Sequence, residues 1–219
     1  MTFLTPILVL AFVAAGVALV WRAASRRRSL PCPSWLSWMV DNPLSKGRTT
    51  TTLRQLDLAP GLAVLDAGCG PGRLTIPIAA AIGPSGRVVA MDIQPEMLRR
   101  AQEKADRASL RNVGFVRAGL GQGTLIPDTF DRAVLITVLG EIPDRIAALR
   151  EVYAALKPGA FLLVGEVLGD PHYQSVGRIR EMAQAVGFEV EPRMGSRLAF
   201  AVRLRKPYGA GSGGTSPGA

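Results

Sequence analysis

The sequence is poor in the residues that build disulfide frameworks and metal centres. Its 219 residues include two cysteines and a single histidine, His172. Two cysteines exclude a disulfide scaffold and a multi-cysteine zinc or iron–sulfur site. One histidine excludes a metal site that needs several imidazole ligands. We therefore predict no metal centre in this protein.

Acidic side chains are also scarce relative to basic ones. The chain carries 26 lysine and arginine residues against 17 aspartate and glutamate residues, which gives a net charge of +9 at pH 7. Such an excess suits an anionic partner, which can be a nucleic acid, a membrane surface or an acidic substrate. Aromatic side chains do not alternate with the basic ones, as a base-stacking surface requires. The sequence therefore argues against nucleic-acid binding.

Charged side chains are missing altogether from the first 21 residues. Residues 3–21 are nearly all apolar, and a helix of this length crosses the ~30 Å hydrocarbon core of a bilayer. Four arginines follow within residues 22–28, and the positive-inside rule places them in the cytoplasm. We predict a single-pass transmembrane anchor with a basic juxtamembrane segment over residues 1–28, and the body of the chain at the cytoplasmic face. The alternative is a cleaved secretory signal that releases a periplasmic enzyme. Such a signal carries its positive charge before the apolar run.

The rest of the chain divides into three parts. Three prolines within residues 29–45 indicate a linker or a lid. Residues 46–207 alternate between strand and helix patterns and form the predicted catalytic domain. Residues 208–219 are rich in glycine and serine, which predicts a disordered tail.

The strand and helix patterns indicate the fold class. The predicted strands are 62–66, 87–92, 113–117, 130–139, 160–168, 188–191 and 197–205, and the predicted helices are 45–58, 73–82, 95–107, 144–156 and 175–186. The strands before residue 170 are short and continuously apolar, which suits a parallel sheet covered on both faces. We predict an α/β fold: a doubly wound, mostly parallel seven-stranded sheet with a C-terminal antiparallel hairpin, preceded by one N-terminal transmembrane helix.

A glycine-rich loop after the first strand indicates a ligand site. Residues 64–72 read VLDAGCGPG, and Arg73 stands where a dinucleotide fingerprint requires a third glycine. The acid at the strand end, Asp66, would repel a pyrophosphate and suits a ligand with a positive group. The second strand ends in Asp92, a position where an acid accepts hydrogen bonds from ribose hydroxyls.

Three motifs together resemble those of the class I S-adenosylmethionine-dependent methyltransferases. They are VLDAGCGPG at 64–72, MDIQPEML at 91–98 and the segment 147–159, and the resemblance extends over residues 53–205. It implies S-adenosyl-L-methionine as the cofactor. The cofactor-binding residues that it implies are Asp66, Gly68, Gly70, Gly72, Asp92, Ile93, Met97, Gly119, Leu120 and Thr137. The chain departs from the family at Gly119-Leu120-Gly121, where many relatives have an acid that contacts the adenine amine.

Methyl transfer depends mainly on alignment of the acceptor with the methyl group, but a phenol or carbon acid also needs a general base. The candidates are Glu141, His172 and Tyr173, with Glu166 as a further carboxylate. His172 also fits a surface or capping position, and Glu141 a helix N-terminus. We predict a methyltransferase that acts on a small or lipid-soluble acceptor at the cytoplasmic membrane face. The alternative is a non-catalytic, membrane-tethered protein that binds S-adenosylmethionine or serves as a scaffold.

Overall fold

A computed structural model describes residues 46–208 and, in the N-terminal segment, Gly16. The predicted anchor (1–28), the predicted linker or lid (29–45) and the predicted tail (208–219) lie outside the described residues, apart from Gly16 and Tyr208. Within residues 46–208, no helix is both long enough and apolar enough to cross a membrane. The domain boundaries therefore stay predictions.

Strands and helices alternate along the described chain. In order they are α1 (Lys46–Leu56), β1 (Ala63–Ala67), α2 (Thr75–Ile82), β2 (Arg87–Asp92), α3 (Pro95–Arg107), β3 (Val113–Arg117), β4 (Phe130–Ile136), a 3-10 turn (Leu139–Glu141), α4 (Arg145–Ala155), β5 (Leu156–Val167), α5 (Val176–Val186), β6 (Glu189–Val190), β7 (Met194–Gly195) and β8 (Ala199–Arg205).

Within the described residues the strands form one mixed sheet in the order β3-β2-β1-β4-β5-β8-β6. The first five strands in this order run parallel. β8 runs antiparallel to β5 and to β6, which confirms the predicted C-terminal hairpin. The sheet has eight strands rather than the predicted seven, because the two-residue β7 also pairs with β8. A two-residue strand is too short for a periodic pattern to reveal.

Helices cover both faces of the sheet, as the doubly wound prediction requires. Adjacent residues of a strand point to opposite faces, so Val64 packs against α1 and α2, whereas Leu65 packs in the cluster with α4 and α5. Both side chains are fully buried. This two-sided burial explains why the strand sequences are continuously apolar.

Two predicted boundaries, at the end of β4 and the start of β5, differ from the structure by three and four residues, and the other boundaries by at most two. β4 ends at Ile136 rather than at residue 139, because Thr137 has a positive φ of 57° that breaks the extended backbone. β5 begins at Leu156 rather than at residue 160, because residues 157–159 continue the strand instead of forming a separate turn. They are accommodated by an irregularity in the pairing with β4, whose register shifts between Phe130 and Arg132.

The ends of the parallel strands determine where a ligand can bind. β1 ends at Ala67, β2 at Asp92 and β4 at Ile136, and β1 pairs in parallel with both of the others. These three carboxyl ends therefore meet at one edge of the sheet.

Candidate functional site

A cavity of about 360 Å³ lies at the carboxyl ends of β1, β2 and β4. Cavities of this size are typical of small-molecule sites. All the predicted cofactor-binding residues except Gly72 line it, together with Glu141. The remaining lining residues lie outside the predicted set: Cys69, Pro71, Arg73, Leu74, Met91, Gln94, Ala118, Gln122, Ile136, Val138, Ile142 and Pro143.

Asp66 places a buried carboxylate on the cavity wall. Its side chain is nearly inaccessible, at 3% exposure, and its Oδ2 accepts a 2.6 Å hydrogen bond from the hydroxyl of Thr75. Burial raises the pKa of Asp66 to about 6, although the Thr75 hydroxyl and the Arg73 guanidinium oppose the rise. The group is therefore mainly ionised at neutral pH and suits a ligand with an ammonium group.

Asp92 joins the glycine loop to the end of β2. Its Oδ2 accepts a 2.9 Å hydrogen bond from the backbone N–H of Gly70, and its Oδ1 accepts one of 2.9 Å from the backbone N–H of Gln94. Burial raises its pKa, and the backbone donors limit the rise. Each carboxylate oxygen has two lone pairs, so both oxygens can still accept hydrogen bonds from ligand hydroxyls.

The three loop glycines have different roles. Gly68 and Gly70 adopt φ values of 70° and 53° and line the cavity. A Cβ at Gly68 would collide with Cγ2 of Val138, so only glycine fits there. Gly72 lies off the cavity, contrary to the prediction: a Cβ there would meet Cβ of Ala101 at 3.0 Å. Its small size lets the start of α2 pack against α3.

Apolar side chains form the far end of the cavity, beyond Asp92. Ile93 is 48% exposed although it is a large apolar residue, and Met97 is buried beside it. Leu120 also lines the cavity, and Oε1 of Gln122 accepts a hydrogen bond of 3.3 Å from the N–H of Gly119. The adenine edge therefore has a polar side chain, Gln122, two residues after the position where relatives carry an acid.

Glu151 holds this edge in place from outside the cavity. Its carboxylate accepts hydrogen bonds from the backbone N–H groups of Gly121, Gln122, Thr124 and Leu125. Burial acts to raise its pKa, but the backbone donors outweigh burial and lower it. Glu151 is not among the predicted site residues, because α4 and the loop after β3 are distant along the chain.

A second cavity, of about 410 Å³, lies beside the first. Its walls come from α1, β5 and the β7–β8 hairpin, and it shares Arg73, Ile136 and Thr137 with the first cavity. The backbone N–H of Thr137 donates a 2.8 Å hydrogen bond to the carbonyl of Gly165. The end of β4, at Ile136 and Thr137, therefore forms a fixed partition along which the two cavities adjoin.

The predicted catalytic residues occupy different environments. Glu141 lines the first cavity, whereas His172 and Tyr173 line neither of the two. Nδ1 of His172 lies 3.9 Å from both Glu141 Oε1 and Asp170 Oδ1. Tyr173 packs edge-on against Phe200, with ring centroids 6.0 Å apart. The structure therefore places Glu141 at the ligand cavity, His172 behind it and Tyr173 against the core.

A buried polar cluster surrounds His172. Four of its atoms find no hydrogen-bond partner among the described residues: Nε of Arg145, Oε1 of Glu166, Nε2 of His172 and Oε1 of Gln174. Burial raises the pKa of Glu166 to about 8, and the charge of Asp170 adds to the rise. Within residues 46–208, no group of histidine, cysteine and acidic side chains is arranged to hold a metal ion.

Comparisons with known proteins agree with this geometry. Residues 64–159 match a family model described as a methyltransferase domain. The chain is 32% identical over 149 residues to a ubiquinone/menaquinone biosynthesis C-methyltransferase from Marinomonas, covering 68% of this chain and 58% of that protein. It is 34% identical over 109 residues to a demethylmenaquinone methyltransferase from Geobacillus, covering 49% of this chain and 46% of that protein. The chain thus spans about half the length of these relatives.

A solved structure shows the same fold. The S-adenosylmethionine-dependent methyltransferase from Aquifex aeolicus superposes with a TM-score of 0.74 at 22% identity, over 80% of this chain and 99% of that one. The cavity fits S-adenosylmethionine: Asp66 suits its ammonium group, Asp92 its ribose hydroxyls, and Ile93 and Met97 its adenine ring. The match over residues 64–159, the shared fold and the lining of the cavity therefore agree on a methyltransferase domain whose cavity suits S-adenosylmethionine.

Proposed function

We propose that this protein is an S-adenosylmethionine-dependent methyltransferase that acts on a small or lipid-soluble acceptor at the cytoplasmic face of a membrane. One observation carries the proposal: Asp66 and Asp92, at the ends of two adjacent parallel strands, line the same cavity. The two carboxylates are close enough for the charge of Asp92 to raise the pKa of Asp66.

The residues that line the first cavity bind and orient the cofactor. When bound, S-adenosylmethionine supplies a methyl group on a positively charged sulfur. Asp66 would hold the amino-acid end of the cofactor and Asp92 its ribose. The two cavities adjoin along Ile136 and Thr137, and Arg73 lines both of them. Alignment of this kind supplies most of the rate enhancement when the electrophile is already activated.

The names of the relatives support a lipid-soluble acceptor. The Marinomonas protein is a C-methyltransferase of ubiquinone and menaquinone biosynthesis, and the Geobacillus protein acts on demethylmenaquinone. Quinones with long apolar tails reside in membranes, which agrees with the anchor predicted over residues 1–28. The described chain begins with α1, directly after the predicted lid, and its first turn borders the second cavity through Gly47 and Arg48.

Cofactor binding is the first test of the proposal. The full chain is titrated with S-adenosylmethionine by calorimetry, and Asp66→Ala and Asp92→Asn are measured beside it. We expect saturable binding that each substitution weakens at least tenfold, because each removes a charged hydrogen-bonding group. Absence of binding by the wild-type chain would disprove the proposal.

Methyl transfer and location need separate experiments. Membranes that contain the full chain are incubated with methyl-labelled S-adenosylmethionine and then separated into lipid, small-molecule and protein fractions. Label in the lipid fraction is the expected result, and binding without label transfer would favour the non-catalytic alternative. Recovery of the chain with an intact N-terminus in carbonate-washed membranes tests the anchor. A chain shortened at its N-terminus would instead support signal cleavage.

A further inference from the structure

The second cavity has one polar wall and one apolar wall. Its polar wall is a single face of α1, which presents Arg48, Thr51, Thr52 and Gln55 at helical spacing. Its apolar wall includes Val167, Met194, Ala199 and Ala201. A mainly apolar molecule with a polar group on one side fits such a space.

Two guanidinium groups set the charge on the polar side. Arg48 lines the second cavity but not the first, whereas Arg73 lines both cavities. Nη1 of Arg73 donates a 3.0 Å hydrogen bond to the hydroxyl of Thr49, which holds this guanidinium against α1. The acids that border the cavity, Glu166 and Asp170, come from β5 and the turn after it. The wall formed by α1 and Arg73 is therefore the basic one.

A fixed cation at the partition restricts the chemistry of the acceptor. A positively charged methyl donor and Arg73 would share the junction between the cavities, so an acceptor with a positive charge is repelled. An acceptor with a negative charge is attracted by both arginines, which also lower the pKa of an acidic hydroxyl. Phenolic hydroxyls ordinarily ionise near pH ~10, so such help makes the reactive anion available near neutral pH.

We infer that the second cavity binds the methyl acceptor, and that the acceptor is a compact, mainly apolar molecule whose acidic hydroxyl, a phenol or an enol, is held as its anion by Arg48 and Arg73. This inference rests on the proposed function. The volume of about 410 Å³ suits a molecule of one or two rings. Whether the methyl group goes to the oxygen or to a ring carbon, one proton is released to solvent. One carbon–sulfur bond breaks and leaves its electron pair on sulfur, and one bond to the methyl carbon forms.

The test uses three probes of one shape. The full chain is saturated with S-adenosylhomocysteine, and binding of 1-naphthol, 1-naphthylamine and 1-methoxynaphthalene is measured by calorimetry. We expect 1-naphthol to bind about tenfold more tightly than the other two, which is the effect of one charge-assisted hydrogen bond. Equal binding of all three probes would overturn the inference.

Variants of the chain test whether 1-naphthol binds in the second cavity. Arg48→Gln should lower the affinity for 1-naphthol about tenfold. It should change the cofactor affinity by no more than about twofold from that of the wild-type chain, because Arg48 does not line the cofactor cavity. Arg54→Gln is the matched control, since Arg54 lies on α1 but lines neither cavity. Thr51→Trp fills the cavity from an exposed helix position and should abolish naphthol binding. Unchanged naphthol binding in Arg48→Gln and Thr51→Trp would place the probe elsewhere and overturn the inference.

The design separates two kinds of failure. A chain that does not bind S-adenosylhomocysteine contradicts the proposed function itself. A chain that binds S-adenosylhomocysteine normally but shows no preference for 1-naphthol contradicts only the assignment of the second cavity.

Discussion

The hydroxyl of Thr75 donates a 2.6 Å hydrogen bond to Oδ2 of Asp66 and so joins the first turn of α2 to the end of β1. Burial raises the pKa of Asp66 to about 6, and this hydrogen bond stabilises the ionised form against that rise. Because the proposed ligand presents an ammonium group to Asp66, its affinity should depend on pH just below neutrality. Protonation of Asp66 below pH about 6 should weaken cofactor binding, which calorimetry at pH values on either side of the pKa measures.

Thr75→Val should move this pH dependence upwards. Valine matches the shape of threonine but donates no hydrogen bond, so the pKa of Asp66 rises above 6 and a smaller fraction is ionised at neutral pH. We expect S-adenosylmethionine to bind several-fold more weakly near neutral pH and with nearly normal affinity at higher pH. Calorimetry across pH measures this shift. Thr75→Ser retains the donor and serves as the control, and an equal loss at every pH would indicate a packing defect instead.

Gly68→Ala should destabilise the fold through two separable effects. The left-handed backbone conformation costs about 1–2 kcal/mol for a residue with a Cβ, and the new Cβ would collide with Cγ2 of Val138. Gly70→Ala is the matched control, because its φ is also positive while its Cβ would meet no described atom within 4 Å. Urea unfolding should show the larger loss for Gly68→Ala, with part of it restored by adding Val138→Ala. Equal losses in the two glycine variants would contradict the proposed contact.

Glu151→Ala should weaken cofactor binding although Glu151 does not line the cavity. The substitution leaves the N–H groups of residues 121, 122, 124 and 125 without their acceptor. We expect faster hydrogen exchange at these amides and a loss of about tenfold in S-adenosylmethionine affinity, in line with the loss of hydrogen bonds to a charged group. Arg150→Gln, at the exposed neighbouring position, should change neither. Normal affinity despite faster exchange would show that this loop does not contact the cofactor.

Glu166→Gln should change the pH dependence of stability. The pKa of Glu166 is about 8 in the folded protein, above the ordinary value of 4.5. Between these values the folded state binds a proton that the unfolded state lacks, so this contribution to stability is present at low pH and is lost as pH rises. The wild-type free energy of unfolding should fall by up to about 5 kcal/mol from this group between pH about 5 and about 8.

A matched variant tests whether this fall in the free energy of unfolding comes from Glu166. Glu166→Gln should lack it, because glutamine has no proton to release. Glu181→Gln, at an exposed position of α5, should retain it. Urea unfolding of the three chains across pH makes the comparison, and a fall of the same size in Glu166→Gln would assign it to another group.

Local patterns predicted the central elements well. The predicted bounds of β2 and α3 match the structure, because each combines a clear apolar pattern with a distinct end: Asp92 before a turn, and Pro95 at the first helical position. The glycine loop is predicted as a ligand site because its closely spaced glycines and the acid before them all suit ligand binding. In both cases the information lies within a short stretch of neighbouring residues.

Contacts between distant segments were not predictable in the same way. Nothing near Glu151 indicates that its carboxylate caps a loop 26 to 30 residues earlier, since the contact depends on how α4 packs on the sheet. The same holds for Gly72, whose partner Ala101 belongs to another helix. For His172, the sequence indicated a side chain that can serve as a general base, but not whether that side chain lines the cavity. The backbone carbonyl of His172 approaches Gly140 so closely that no Cβ fits between them, and His172 lines neither cavity.

The partition formed by Ile136 and Thr137 has an evolutionary consequence. Its backbone is fixed by the Thr137–Gly165 hydrogen bond and by a left-handed turn, so the border between the two cavities keeps its place whatever occupies the second cavity. Substitutions on the β7–β8 hairpin can reshape the second cavity, and the hairpin does not line the cavity that holds Asp66 and Asp92. New acceptor preferences can therefore arise by single replacements on this hairpin, while Asp66 and Asp92 continue to line the first cavity.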